Sequence, residues 1–212
     1  MAYDLYIVTD ETLSHGLSHE EIAKKALEGG ADVIQLRDKT AGGRRLLETA
    51  LRIRVHTRQS GALFIVNDRV DIALASGADG VHLGKEDMPL SSARIILPRP
   101  YCIGISVESA DEARTACRDG ADYVAVSPVF TTGSKKDAGP GLGTDMIREI
   151  RRSVSIPVIA IGGIGLHNVR DVIDAGADGV AVISAVVSSP DITRASRDLK
   201  SRIAECKRKK VE

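Results

Sequence analysis

The chain has 212 residues, 29 of them Lys or Arg and 29 Asp or Glu, with 43% hydrophobic and 3% aromatic residues. That length suits one domain and lets roughly 70% of the unfolded chain's surface be buried, and the wealth of Val, Ile, Leu and Ala excludes disorder. Zero formal net charge gives no field to draw in a polyanion, and so few rings cannot stack unpaired bases, so nucleic acid is not expected as a partner.

Short β-branched runs alternate with helix-like segments along the whole chain. The predicted strands are Leu5–Thr9, Val33–Arg37, Leu63–Asn67, Gly80–Leu83, Cys102–Val107, Tyr123–Val126, Pro157–Ile161 and Gly179–Ile183. They are short and almost continuously apolar, as parallel strands covered by helices are. Capping boxes are read at Ser18/Glu21 and Ser109/Glu112, and Ser189-Pro190 is read as a cap before a first-turn proline. A Gly-Ala-Asp repeat beginning at Gly30, Gly77, Gly120 and Gly176 leads into every second strand. Eight strands, each followed by a helix, predict a single α/β domain over 1–212, a (β/α)₈ TIM barrel. An open dinucleotide-binding sheet is the weaker alternative, because Thr9-Asp10-Glu11-Thr12 carries no glycine after the first strand.

In such a barrel, ligands meet the carboxyl ends of the strands. After strand two come Gln35, Leu36, Arg37, Asp38 and Lys39, and a two-residue period puts Gln35 and Arg37 on one face. Two cations and an amide at a barrel mouth call for an anion. Strand three ends in Asn67-Asp68, and Asp87 follows strand four; carboxylates so placed suit a hard cation such as Mg²⁺. Ser106 lies near the end of strand five. After strand six, residues 131–143 form a long loop, expected to be a mobile lid whose hydroxyls and lysines close on phosphate. Gly162-Gly163 and Ile183-Ser184 end strands seven and eight, where barrels often bind phosphate. Two phosphorylated small-molecule substrates would explain both anion sites. His15, His19, His56 and His167 are expected to be solvated, and His82 to be packed and hydrogen-bonded. No run approaches the roughly 20 apolar residues that span a bilayer, no signal peptide is visible at the N-terminus, and Cys102, Cys117 and Cys206 match neither a zinc nor a disulfide spacing. A reducing cytoplasmic location with no membrane partner is therefore expected; a homo-oligomer is left open.

The motifs Tyr6-Ile7-Val8-Thr9-Asp10, Gln35-Leu36-Arg37-Asp38-Lys39, Val66-Asn67-Asp68-Arg69, His82-Leu83-Gly84-Lys85-Glu86-Asp87-Met88-Pro89, Gly104-Ile105-Ser106, Thr132-Gly133-Ser134-Lys135-Lys136-Asp137, Ala160-Ile161-Gly162-Gly163-Ile164 and Val182-Ile183-Ser184-Ala185 occur in that order. Together they make the chain resemble the thiamine phosphate synthase family over nearly its whole length. The resemblance implies a barrel transferase that joins a hydroxymethylpyrimidine diphosphate to a hydroxyethylthiazole phosphate, releasing pyrophosphate. It implies Asp68 and Asp87 as Mg²⁺ ligands. Gln35, Leu36, Arg37, Asp38, Lys39, Asn67 and Lys135 would hold the pyrimidine diphosphate, with Ser106 near its ring. Thr132, Gly133, Ser134, Gly163, Ile183 and Ser184 would line the thiazole phosphate site, and Arg37, Lys39, Lys135 and Ser106 would be catalytic. The chain departs from the family pattern at Ser127, Thr131, Lys85 and Ser134, which bears on loop rigidity and affinity more than on reaction type. A related thiazole tautomerase, or a phosphate-binding barrel without turnover, is the alternative.

Overall fold

The computed structural model describes residues 3–133 and 139–209. Its strands are β1 (Leu5–Val8), β2 (Val33–Leu36), β3 (Leu63–Asn67), β4 (Gly80–Leu83), β5 (Cys102–Val107), β6 (Tyr123–Val126), β7 (Val158–Ile161) and β8 (Gly179–Val182). They pair in sequence order into a closed parallel barrel, β8 returning to β1. Outside it lie α1 (His19–Glu28), α2 (Gly43–Ser60), α3 (Val70–Ser76), α4 (Leu90–Ile96), α5 (Ala110–Arg118), α6 (Gly143–Ser153), α7 (Val169–Asp174), α8 (Ser184–Val187) and α9 (Ile192–Lys209), with a 3₁₀ turn at Glu11–Leu13. One contiguous apolar core joins the strands to the helices. Among the described residues, no helix is long and apolar enough to cross a membrane.

The strands match the expected runs except at four ends, each one residue shorter. Pro157 has no N–H to give a ladder, and Ile183 turns out of the sheet with ψ −88° to start α8. The box at Ser18/Glu21 is complete. At Ser109 it is half-formed, because the Glu112 side chain accepts from Glu108 N–H instead. Nor does Ser189 cap α9: Asp191 does, accepting from Arg194 N–H at 2.9 Å, so the helix starts past the proline.

The Gly-Ala-Asp repeat has a common mechanical cause. Each glycine carries a positive φ at the end of a helix, a conformation that costs glycine little. Each aspartate then reaches sideways to the strand before its own. Asp32 accepts from Leu5 N–H, Asp79 from Phe64, Asp122 from Ile103 and Asp178 from Val158, all at 2.7–2.8 Å. A cation supports each carboxylate: Lys200, Arg54, Arg94 and Arg151 respectively. Four clamps thus tie odd strands to even ones at the amino end of the barrel, leaving the carboxyl end free for function.

Candidate active site

Two cavities open at the carboxyl ends of the strands and share Ser127 and Pro128 as a common wall. The larger, about 800 Å³, is lined by Arg37, Lys39, Asn67, Asp68, Asp87 and Ser106 among others. The smaller, about 430 Å³, is lined by Thr132, Gly163, Ile183 and Ser184.

Arg37 projects beyond β2 and is mostly buried. Its Nη1 lies 3.4 Å from Asp10 Oδ2, and its backbone N–H donates to Thr9 Oγ1 at 3.4 Å. The Arg37 Nε is buried with no hydrogen-bond partner among the described residues. A buried cationic donor left unused is costly, so the guanidinium has capacity for an anion entering the cavity. Lys39, more exposed, sits 3.8 Å from Asp68 Oδ2.

Asp68 adopts a left-handed backbone (φ 60°), a strained choice for a residue other than glycine. Its amide donates to His82 O at 2.9 Å, which fixes the turn after β3 against β4. Asp87 Oδ2 accepts from Gly84 N–H at 2.7 Å. Burial, then a hydrogen bond and repulsion from Asp87, pushes the Asp68 carboxyl up to about 6, with Lys39 and Arg37 only partly offsetting this. Two carboxylates in contact, with Asp68 held toward its neutral form beside Asp87, fit a hard divalent cation, whose charge removes the repulsion.

Gly163 shapes the smaller cavity. It carries φ 64°, and a Cβ there would come within 2.8 Å of Phe130 Cβ and Thr131 O. The loop after β6 is pinned beside it by Val129 N–H to Ile161 O and Phe130 N–H to Gly162 O, at 2.9 and 3.0 Å. Ser134 and Lys135 lie outside the described residues, as does the middle of the predicted lid.

Other candidates sit elsewhere. Leu36 is buried away from both cavities. Gln35 points into the barrel interior, where its Nε2 donates to the Tyr6 hydroxyl at 2.7 Å. Gly133 is exposed and lines neither cavity. Asp38 Oδ1 accepts from Thr40 and Ala41 amides, while Oδ2 lies 3.6 Å from His19 Nε2. His19 is therefore not solvated as expected: it is 3% exposed, and burial lowers its pKa against the pull of Glu11 and Asp38. Glu11, His19 and Asp38 bring ligand-type atoms within 4.8 Å of one another. Their polar atoms are engaged internally, however, Glu11 accepting from His19 N–H and pairing with Arg45. Sequence reasoning passed over Asp10 as the partner of Arg37 and His167 on the wall of the smaller cavity. Asp10 follows β1 directly, so adjacency of the first two strands was the available signal; His167 offered none.

A family model described as thiamine monophosphate synthase matches residues 5–186. The chain belongs to the thiamine monophosphate synthase family. A thiamine-phosphate synthase from Methanoculleus marisnigri is 59% identical over 207 residues, covering 98% of each chain. One from Chloroflexus aurantiacus is 50% identical over 200 residues, covering 94% of this chain and 92% of the relative. The solved thiamine phosphate pyrophosphorylase from Pyrococcus furiosus superimposes with a TM-score of 0.90 at 45% identity, covering 96% of each chain. A 3-hexulose-6-phosphate synthase, 18% identical with a TM-score of 0.67, shares the barrel alone.

Proposed function

We infer that this member of the family is a transferase that forms thiamine phosphate. It couples 4-amino-2-methyl-5-hydroxymethylpyrimidine diphosphate with 4-methyl-5-hydroxyethylthiazole phosphate and releases pyrophosphate. The observation that carries the reading of the site is the convergence of Arg37, Lys39, Asn67, Asp68, Asp87 and Ser106 on one cavity, beside a second walled by Gly163 and Ser184. The larger cavity takes the pyrimidine diphosphate. The smaller takes the thiazole phosphate, its phosphate near the loops after β7 and β8.

In the reaction the bond between the pyrimidine methylene and the diphosphate oxygen breaks, and the thiazole nitrogen's lone pair forms the new carbon–nitrogen bond. The electron pair of the broken bond leaves with the diphosphate. Arg37 and Lys39 are placed to offset that growing negative charge, and a preorganised cation acts more strongly there than water would. Lys135 is assigned to the same task. Asp68 and Asp87 would hold Mg²⁺, which when bound supplies further neutralisation of the diphosphate. The thiazole nitrogen needs no deprotonation, so the chain requires no nucleophilic serine or cysteine; it must bring the two substrates together in line. The three cysteines are free thiols, and burial pushes Cys102 up to about 11, so that thiol is no nucleophile for this reaction.

Mixing both substrates with the purified protein is expected to give thiamine phosphate and pyrophosphate in equal amounts when Mg²⁺ is present, and far less of both when it is withheld. Absence of any coupling product under both conditions overturns the reading. Asp68→Ala and Asp87→Ala should each lower turnover by about 10²-fold or more and weaken binding of Mn²⁺ titrated as a spectroscopic probe. Unchanged turnover and metal affinity in both variants would refute the metal assignment.

A further inference from the structure

Ser106 ends a hydrogen-bonded chain that crosses the inside of the barrel. Its Oγ lies 3.0 Å from His82 Nε2, and His82 Nδ1 lies 3.0 Å from the Tyr123 hydroxyl. That hydroxyl lies 3.0 Å from the Tyr6 hydroxyl, which accepts from Gln35 Nε2 at 2.7 Å. The side chains come from β5, β4, β6, β1 and β2, and each points inward by the two-residue alternation of its strand. The rings have little room to turn. His82 stacks on Tyr123 with centroids 5.6 Å apart, and Tyr3 closes the other side at 5.5 Å. Gly104 makes the space, since a Cβ there would fall 1.9 Å from Tyr123 Cζ.

Counting protons along these links gives the chain a direction. An amide nitrogen only donates, so the Tyr6 oxygen is an acceptor at the Gln35 end. Tyr6 has one proton, and among the described residues its other hydrogen-bonded neighbour is Tyr123. Turning that link round would strand the Tyr6 proton in a fully buried position, an unfavourable state. Burial also raises both tyrosine hydroxyls well above the usual range, so each keeps its proton. Having accepted from Tyr6, Tyr123 donates onward to His82 Nδ1. That nitrogen must be bare, so the neutral ring carries its proton on Nε2 and gives it to Ser106 Oγ. Ser106 then has its own proton left for the cavity.

We propose that Gln35, Tyr6, Tyr123 and His82 form a one-way chain that fixes Ser106 as a hydrogen-bond donor to substrate, selecting a ring whose facing atom is an unprotonated acceptor. Tyr6, Tyr123 and His82 are positioning residues that act through Ser106. The identity of that ring as the pyrimidine rests on the function proposed above; the direction of the chain does not.

The test uses the full chain labelled with ¹⁵N-histidine, free of substrate, at about pH 8 where an imidazole is neutral. Long-range proton–nitrogen spectra report the tautomer, with His82 assigned by the signal lost in His82→Gln. The expected result is an Nε2–H ring with bare Nδ1. An Nδ1–H ring or an imidazolium overturns the proposal. In Tyr123→Phe the tautomer preference should weaken, and kcat/KM for the pyrimidine diphosphate should fall about tenfold while KM for the thiazole phosphate stays within about twofold. A wild-type tautomer signature with unchanged kcat/KM in that variant also overturns it. If Tyr123→Phe does not fold, Tyr6→Phe interrupts the same chain one link earlier. A wild-type protein that forms no thiamine phosphate would sink the functional reading alone, because the tautomer is measured without substrate.

Discussion

Arg37 and His19 show how single side chains near the barrel mouth are held by their neighbours. Asp10 and Thr9, both just past β1, secure Arg37 through its Nη1 and its backbone N–H. A lysine cannot keep the link to Asp10 and still present a fork to a diphosphate. Arg37→Lys should therefore lower kcat/KM for the pyrimidine substrate by about tenfold or more. Steady-state kinetics check this, and a change under twofold would remove Arg37 from the role. His19 packs behind the same segment, its Nδ1 2.7 Å from Thr9 Oγ1 and its Nε2 facing Asp38 and Glu11. Burial lowers its pKa. On acidification the unfolded chain takes up the proton first, near the ordinary histidine value of about 6.5. Stability due to neutral His19 is thus complete above that pH and is lost as pH falls toward the lower folded value. Urea unfolding between about pH 7.5 and 5 should show the wild type losing stability faster than His19→Gln. Parallel curves for the two would disprove the linkage. The sequence could place His19 near a helix start but not inside a polar pocket, because burial depends on segments that are distant in the chain.

At the level of elements, the Gly-Ala-Asp repeat and the strand ends carry most of the information. The repeat was visible as a recurring entry to even strands, yet its purpose was not. Each aspartate bonds to the strand before its own across an intervening helix, and only a closed ladder sets that distance. Asp122 is the most heavily engaged, accepting from Ile103 N–H, Arg94 and Arg99. Asp122→Ala leaves the Ile103 amide without its acceptor and takes the carboxylate from both Arg94 and Arg99, at a cost of about 3 kcal/mol. Denaturant unfolding should show that loss, and Asp122→Asn, which keeps an acceptor, should recover part of it. A loss below about 0.5 kcal/mol would mean that the clamp adds little. The strands themselves were read correctly because parallel barrel strands are buried on both faces and bounded by helices. The cap at Ser109 is present, but the return half of its box and the cap at Ser189 are not, because several nearby side chains compete for the same few N–H groups, and spacing does not rank them.

Across the whole molecule, the clamps lie at one end of the barrel and both cavities at the other, so stability and chemistry are spatially separated. The cavities meet at Ser127 and Pro128 and share no other lining residue among the described residues, so the two substrates of the proposed reaction would have adjoining but separate seats. Calorimetric titration of the thiazole phosphate into Asp87→Ala should therefore give an affinity within about twofold of wild type, although turnover collapses. A loss of more than about tenfold would show that the seats are not separable. By itself the sequence determined the number and order of strands, the barrel, and the family, since these follow from apolar periodicity and from motifs contiguous in the chain. It also pointed to Arg37, Lys39, Asn67, Asp68, Asp87 and Ser106, because residues at the carboxyl ends of barrel strands share one rim. Tertiary structure alone decided that Gln35 turns inward to Tyr6, that Asp10 holds Arg37, and that a line of side chains from five strands meets at Ser106. Those contacts depend on barrel closure and on the inward face of each strand, which bring together atoms from residues as far apart in sequence as Tyr6 and Tyr123.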